Sequence, residues 1–380
     1  MRAILERYEA DLAGLAARDR LRALEPRAGL DFASNDYLGL AESPALAEAA
    51  AAALARGAPV GAGGSRLLRG NHPEHEALEE EAARFFHAQS ALFFGAGFSA
   101  NEALLATLPQ REDLIVHDAL VHASAHDGMR LSRAPRVSFA HNDANAAEEA
   151  IRDWRGKGGV GRAWIVVESL YSMDGCKAPL DDLMALAERH EAFLMVDEAH
   201  ATGVFGPGGR GLAAGLEGRE NVISVHTCGK ALGVSGALAC LASPLRDFLI
   251  NRCRNFIFAT APSPLVAACV RASLKLVERA DDRRAALQAR VDRAGLALQT
   301  LCGVAPSGSQ IQPIIVDADG RALALAAAMR AHGYDIRAIR PPTVPEGTAR
   351  LRLSLTLHAS EDQIARMIAH LADALAKDSE

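Results

Sequence analysis

Little in this chain of 380 residues points to a covalent or metal framework. Its six cysteines are Cys176, Cys228, Cys240, Cys253, Cys269 and Cys302. None forms a Cys-x-x-Cys pair and none has histidines at metal-ligand spacing, so neither a disulfide scaffold nor a metal site is expected. A reducing compartment fits such a chain. Charge blocks are missing too. Forty-one Lys and Arg face 47 Asp and Glu, spread along the chain, for a net charge of −6. That balance speaks against nucleic acid and against an anionic membrane as partners. The first dozen residues contain Glu6, Glu9 and Asp11 and no apolar core, so no signal peptide is expected. The uncharged stretch Ala231–Leu245 is interrupted by glycines, serines and a proline and is too short for a membrane span. Repeats and low-complexity linkers are absent. The expectation is a cytoplasmic enzyme-sized protein, with length alone implying two or three folding units.

What is present is a long alternation of two patterns. Short apolar runs at Ala91–Phe94, Asp113–Val116, Arg136–Phe139, Ala163–Glu168, Phe193–Asp197, Val222–His226 and Ala237–Leu241 read as strands. They are apolar throughout rather than alternating, as strands buried on both faces are. Helical patterns such as Asn145–Arg155 and Leu180–Glu191 lie between them. Strand–helix repetition predicts an α/β domain with a mostly parallel, doubly wound sheet. Residues 2–24 read as an amphipathic helix with Ile4, Leu5, Tyr8, Leu12 and Leu15 on one face. Ser43-Pro44 reads as the start of a helix to Arg56, and Pro73 as the start of one to Ala88. After Pro264 one long helical stretch to Leu301 is expected. It is followed by a strand at Ile311–Val316, a helix at Ala322–His332, a strand at Arg350–Thr356 and a last helix from Glu361. The division read from this is an N-terminal helical segment (1–42), a large domain (43–264) and a smaller α+β C-terminal domain (265–380).

Ligands of parallel sheets bind beyond the carboxyl ends of the strands. Three segments put reactive side chains there: Asp197-Glu-Ala-His200, Thr227-Cys-Gly-Lys230, and His117-Asp118 with His122-Ala-Ser124 close behind. Lys230 stands between Gly229 and Gly233 just after an apolar strand. Desolvation there lowers a lysine pKa and makes the amine a better nucleophile for a carbonyl. The plain alternative is a loop lysine in water. For Asp197 the alternative is a helix cap, and for His122 and His200 it is a satisfied buried histidine. Pyridoxal-phosphate chemistry uses all four together: a lysine to hold the cofactor, a carboxylate for the pyridine nitrogen, one histidine on the ring and one at the phenolic oxygen. Gly95-Ala-Gly97-Phe-Ser-Ala-Asn101 follows a strand and opens a helix, where backbone amides can hold a phosphate; a plain strand-to-helix turn is the commoner meaning of such glycines.

These motifs resemble those of the α-oxoamine synthases among the fold-type I pyridoxal-phosphate enzymes. The resemblance rests on Ser34-Asn-Asp-Tyr-Leu-Gly-Leu40, Gly63-Gly-Ser-Arg66, His122-Ala-Ser124, Ser172-Met-Asp-Gly175, Val196-Asp-Glu-Ala-His200, Thr227-Cys-Gly-Lys230 and Ile339-Arg-Pro-Pro-Thr-Val-Pro345 with Gly347-Thr-Ala-Arg-Leu-Arg352. It covers nearly the whole chain, and Pro341–Pro345 is most similar to the biotin-pathway branch. It implies that Lys230 carries pyridoxal 5'-phosphate and that Asp197 pairs with the pyridine nitrogen. It also implies that His122 stacks on the ring, that His200 and Ser172 contact the phenolic oxygen side, and that Thr227 with the amides of Gly97 and Phe98 holds the phosphate. Arg352 is implied for the amino-acid carboxylate, with Arg22, Asn35, His122 and Thr343 at the substrate. The implied reaction joins L-alanine to a pimeloyl thioester, as pimeloyl-CoA or on an acyl-carrier protein, with loss of CO2. The implied assembly is a homodimer with the site at its interface. A glycine acetyltransferase of the same family is the alternative reading.

Overall fold

The computed structural model describes residues 2–377, which fall into two compact units. The larger runs from Leu38 to Ser172 and from Lys177 to Arg284. It is built on seven strands: β1 (Ser90–Phe94), β2 (Leu114–Asp118), β3 (Arg136–Phe139), β4 (Ala163–Glu168), β5 (Phe193–Asp197), β6 (Val222–Thr227) and β7 (Ala237–Leu241). Their order across the sheet is β1-β7-β6-β5-β4-β2-β3. Five of them, β2 to β6, are parallel neighbours, whereas β7 is antiparallel to both β6 and β1. The sheet is thus mostly parallel as expected, with one reversed strand. The reversal follows from chain length: only Cys228–Gly236 joins β6 to β7, too little for the helical crossover a parallel return needs.

The uninterrupted apolar runs have a simple geometric cause. In β4, Trp164 and Val166 enter one core with Met195, Ile223 and Val225, while Ile165 and Val167 enter the opposite core with Leu194 and Val196. Side chains alternate in direction, and both faces are covered, so both sets are apolar. Each large aliphatic side chain so buried contributes roughly 1.5–3 kcal/mol. β3 departs from this reading, since Arg136, Val137 and Ser138 are exposed at the sheet edge. The helix Pro44–Ala55 begins as expected, with Ser43 Oγ accepting from the Leu46 amide at 3.4 Å.

The single helical stretch expected after Pro264 is two helices, Pro264–Glu278 and Asp281–Cys302. Asp281 and Asp282 occupy the first turn of the second, where acidic side chains favour a helix start. The first packs on Pro44–Ala55 and on Pro73–Phe85 and so belongs with the large sheet, which places the end of this unit at Arg284 rather than at 264.

The smaller unit holds the residues up to Tyr37, Met173–Cys176 and those from Ala285 on. Its antiparallel sheet has the order Arg337–Ile339, Ala349–Ser354, Ile311–Asp317. Ile314, Leu351 and Leu353 form its core with Met329 of the helix Asp319–Ala331 and with Ile364, Met367 and Ile368 of the helix Glu361–Lys377. A two-residue parallel pairing of Leu30–Asp31 with Tyr334–Asp335 ties the early chain to this unit. The first helix spans Arg2–Ala16, shorter than the 2–24 expected; the chain turns at Asp19, whose φ is +57°. Its apolar stripe is real but Ile4, Leu5, Tyr8 and Leu12 are all exposed. Among the described residues no helix is long and apolar enough to cross a membrane.

Candidate active site

The parallel strands of the large unit end in polar residues. β4 ends at Glu168, β5 at Asp197 and β6 at Thr227, and Glu168 and Asp197 are paired in register. Lys230 follows β6 in a turn closed by a hydrogen bond from the Gly233 amide to the Lys230 carbonyl at 2.8 Å. Gly233 has φ +67°, and a β-carbon there would meet the Ala41 nitrogen at 2.6 Å, so the turn takes no larger residue. Lys230 is half-buried rather than a free loop lysine, and its Nζ lies 2.7 Å from His200 Nε2. His200 is buried.

Asp197 is the turn cap that its place after a strand allows, and its second oxygen is held by a side chain. Its Oδ1 accepts from the Ala199 amide at 2.9 Å, capping the turn after β5. Its Oδ2 accepts from Asn101 Nδ2 at 2.6 Å. Asn101 sits in the helix Gly97–Thr107 and is buried. The same amide group reaches Ser124 Oγ at 3.0 Å, and Ser124 Oγ lies 2.8 Å from His122 Nδ1. His122 is the N-cap of the helix Ala123–Leu131 and makes an edge contact with the Phe98 ring, centroids 6.2 Å apart. Burial holds the proton affinity of His122 below the ordinary histidine value; the Asp197 carboxylate opposes this, and Lys230 and His126 add to it.

The phosphate-binding expectation concerns Gly97 and Phe98. They open an eleven-residue helix whose N-cap, Ala96, offers no side-chain hydrogen bond, leaving the first-turn amides uncapped by any side chain. A β-carbon on Gly97 would lie 2.4 Å from Thr227 Cγ2, so glycine is what lets Thr227 approach the helix end. Thr227 Oγ1 donates to the Ala199 carbonyl at 3.3 Å. An uncapped helix start beside a hydroxyl, a paired lysine and histidine, and a fixed carboxylate form a donor set that fits pyridoxal phosphate.

Two further residues were not singled out by the sequence. Asn101 is the last residue of the glycine-rich segment, and Glu168 closes an apolar strand. Glu168 is buried; its Oε2 accepts from the Ser172 amide at 2.9 Å and its Oε1 has no partner. Burial pushes its carboxyl up to about 8, the nearby Asp197 charge pushes the same way, and Lys230 opposes. Glu198, also buried, takes hydrogen bonds from Ser169 Oγ at 2.9 Å, from the Leu212 amide at 3.1 Å and from the Ala213 amide, pinning the segment that follows β5.

In the smaller unit, Arg352 lies buried on the central strand. It donates to Ser354 Oγ at 2.7 Å, to Asn35 Oδ1 at 3.1 Å and to Tyr37 Oη at 3.3 Å. Arg352 and Asn35 are thus brought together. So are Arg22 and Thr343, whose Nη2 and Oγ1 are 3.3 Å apart on an exposed surface. Lys230, His200, Asp197, His122, Phe98, Gly97, Thr227 and Ser172 all belong to the large unit.

Residues 27–371 match the family model described as aminotransferase class I and II. An 8-amino-7-oxononanoate synthase of Azoarcus sp. (strain BH72) is 43% identical over 97% of this chain and 97% of its own. The crystal structure of an 8-amino-7-oxononanoate synthase from Francisella tularensis superposes with a TM-score of 0.78 at 28% identity, covering 93% of this chain and 99% of that one. A serine palmitoyltransferase solved with PLP superposes with a TM-score of 0.89 at 26% identity, covering 99% and 98%.

Proposed function

Since the chain belongs to the class I and II aminotransferase family and groups there with the 8-amino-7-oxononanoate synthases, we propose that it condenses L-alanine with a pimeloyl thioester. The products are 8-amino-7-oxononanoate, CO2 and the free thiol, a step of biotin biosynthesis. The observation that carries this reading is the 43% identity to such a synthase along 97% of both chains, with the lysine, carboxylate and histidines of the site all present.

Bound pyridoxal phosphate supplies the electron sink that makes the alanine α-carbon acidic. Lys230 is the residue that holds it, and its Nζ, with His200 2.7 Å away, takes the α-proton from alanine. The Asp197 carboxylate, fixed by Asn101 and by the Ala199 amide, serves the ring nitrogen as counter-charge. Gly97, Phe98 and Thr227 hold the phosphate, His200 and Ser172 serve the phenolic oxygen side, and His122 takes the ring face. Arg352, buried beside Asn35, is assigned the alanine carboxylate, an ion pair that a guanidinium fork suits. Arg22 and Thr343 are assigned to the acyl substrate. The exposed stripe of Ile4, Leu5, Tyr8 and Leu12 supports association with a second copy, hence a homodimer. Six free cysteines suit a cytoplasmic location.

The test is to incubate the enzyme and pyridoxal phosphate with alanine and pimeloyl-CoA, and to weigh the product. The mass of the condensed, decarboxylated amino ketone is expected. A channel fitted to the methylenes should favour pimeloyl over acetyl by roughly 10²-fold in kcat/KM, at about 0.8 kcal/mol per buried methylene. Faster turnover of glycine with acetyl-CoA would replace this reading by the acetyltransferase one, and no condensation with either pair would remove both.

A further inference from the structure

Asn101 uses both hydrogens of its amide, one toward Asp197 Oδ2 at 2.6 Å and one toward Ser124 Oγ at 3.0 Å. The orientation is forced, because a flipped amide would set its oxygen against the carboxylate. Asn101 Oδ1 is buried and has no partner, so the side chain is held by its donors alone. Ser124 then continues the chain. Its backbone amide donates to His122 Nδ1 at 3.2 Å and its Oγ lies 2.8 Å from the same nitrogen. A backbone N–H can only donate, so Nδ1 is an acceptor and carries no proton. Ser124 Oγ, accepting from Asn101, directs its own hydrogen to Nδ1 as well. Neutral His122 therefore carries its proton on Nε2.

We propose that Asn101 and Ser124 are positioning residues that join Asp197 and His122 into one unit, Asn101 orienting the carboxylate and Ser124 keeping His122 neutral with its proton on Nε2. The proposal rests on the pyridoxal-phosphate reading above and adds what the chain does to hold two of its groups in working form. Four groups bear on the titration of His122: Asp197 from β5, Lys230 from the turn after β6, and His126 and Ser124 from its own helix. Removing the Ser124 hydroxyl takes away a donor to the neutral ring, and removing the Asn101 amide frees that hydroxyl to accept from a protonated one. Both changes favour imidazolium, so the His122 midpoint must rise.

The experiment compares wild type, Asn101→Ala, Ser124→Ala and Ser124→Thr, all loaded with pyridoxal phosphate. Two quantities are read: the pH titration of the His122 ring nitrogens by 15N NMR, assigned with His122→Gln, and the acid limb of the kcat/KM profile. In the two alanine variants both midpoints should rise by about 0.5 unit or more, and Ser124→Thr, which restores the hydroxyl, should return them. Asn101→Ala should in addition weaken cofactor binding by about tenfold through the lost charge-assisted bond to Asp197. If either alanine variant titrates like wild type, or if the wild-type ring is protonated on Nδ1, the proposal falls, whatever the loss in turnover. The NMR titration needs no acyl donor, so it decides the matter even where the condensation assay gives no product.

Discussion

Lys230 Nζ and His200 Nε2 are 2.7 Å apart, so one of the two nitrogens must offer a lone pair to the other. A lysine in that position is a different reagent from one in water, because its partner fixes where its proton points. If Lys230 is the residue that holds the cofactor, borohydride should fix pyridoxal phosphate covalently, and peptide mapping should find the label at Lys230. A label on another lysine would refute the assignment. Asp197 makes a separate claim. In Asp197→Asn the one remaining oxygen can accept from Asn101 or from the Ala199 amide but not from both, so the variant loses the negative charge and one of the two hydrogen bonds, a loss of about 1 kcal/mol that the fold should survive. Turnover is then expected to fall on the order of 10³-fold, about 4 kcal/mol of barrier. A variant that stays within a few-fold of wild type would reduce Asp197 to the turn cap it also is.

The elements carry these side chains by packing that tolerates little change. At the start of the helix Gly97–Thr107 the critical distance is between chain segments, since any β-carbon on Gly97 would come within 2.4 Å of Thr227 Cγ2. Gly97→Ala should therefore push the helix end and Thr227 apart and weaken cofactor binding, by about tenfold or more. Thr227→Ser removes the clashing methyl and keeps the hydroxyl. The double variant should recover much of the loss in a fluorescence titration with pyridoxal phosphate, and equal binding by Gly97→Ala and wild type would sink this account.

Much of this layout was legible in the residues. β4 and β5 announce themselves because both of their faces are buried, and a carboxylate or lysine just past such a strand stands out. The exposed Arg136–Ser138 edge, the reversed β7 and the break before Asp281 were less legible, because they depend on strand neighbours and connection length rather than on local pattern. Asn101 and Glu168 escaped for a related reason. Each looks like an ordinary polar residue at an element end, and only burial next to Asp197 makes it consequential.

For the molecule as a whole, the buried carboxyls make stability depend on pH in a direction opposite to that of paired surface acids. Burial pushes Glu168 up to about 8 and Glu198 up to about 7, against 4.5 for a glutamate in an unfolded chain. Between the unfolded and folded values the native protein keeps a proton that the unfolded chain has released. The share of folding stability that comes from these two carboxyls then falls as pH rises from about 4.5 toward 8 and flattens beyond it, while the histidines His75, His117, His122 and His126, whose proton affinity burial lowers, act in the opposite direction. Glu168→Gln isolates one share of this slope. The amide oxygen can still accept from the Ser172 amide, and the neutral side chain has almost the shape of the protonated acid. Near pH 5 the two proteins should therefore melt at similar temperatures, because Glu168 is then neutral in the native state and only partly ionised in the unfolded one. By pH 8.5 the glutamine variant should melt several degrees higher, about what one to a few kcal/mol gives a chain of this size. The check is a series of thermal melts from pH 5 to 9 with pyridoxal phosphate saturating. A difference that stays constant over that range, or one that favours the wild type as pH rises, would show that Glu168 is ionised in the folded protein and that its unpartnered oxygen is answered by a charge rather than by a proton.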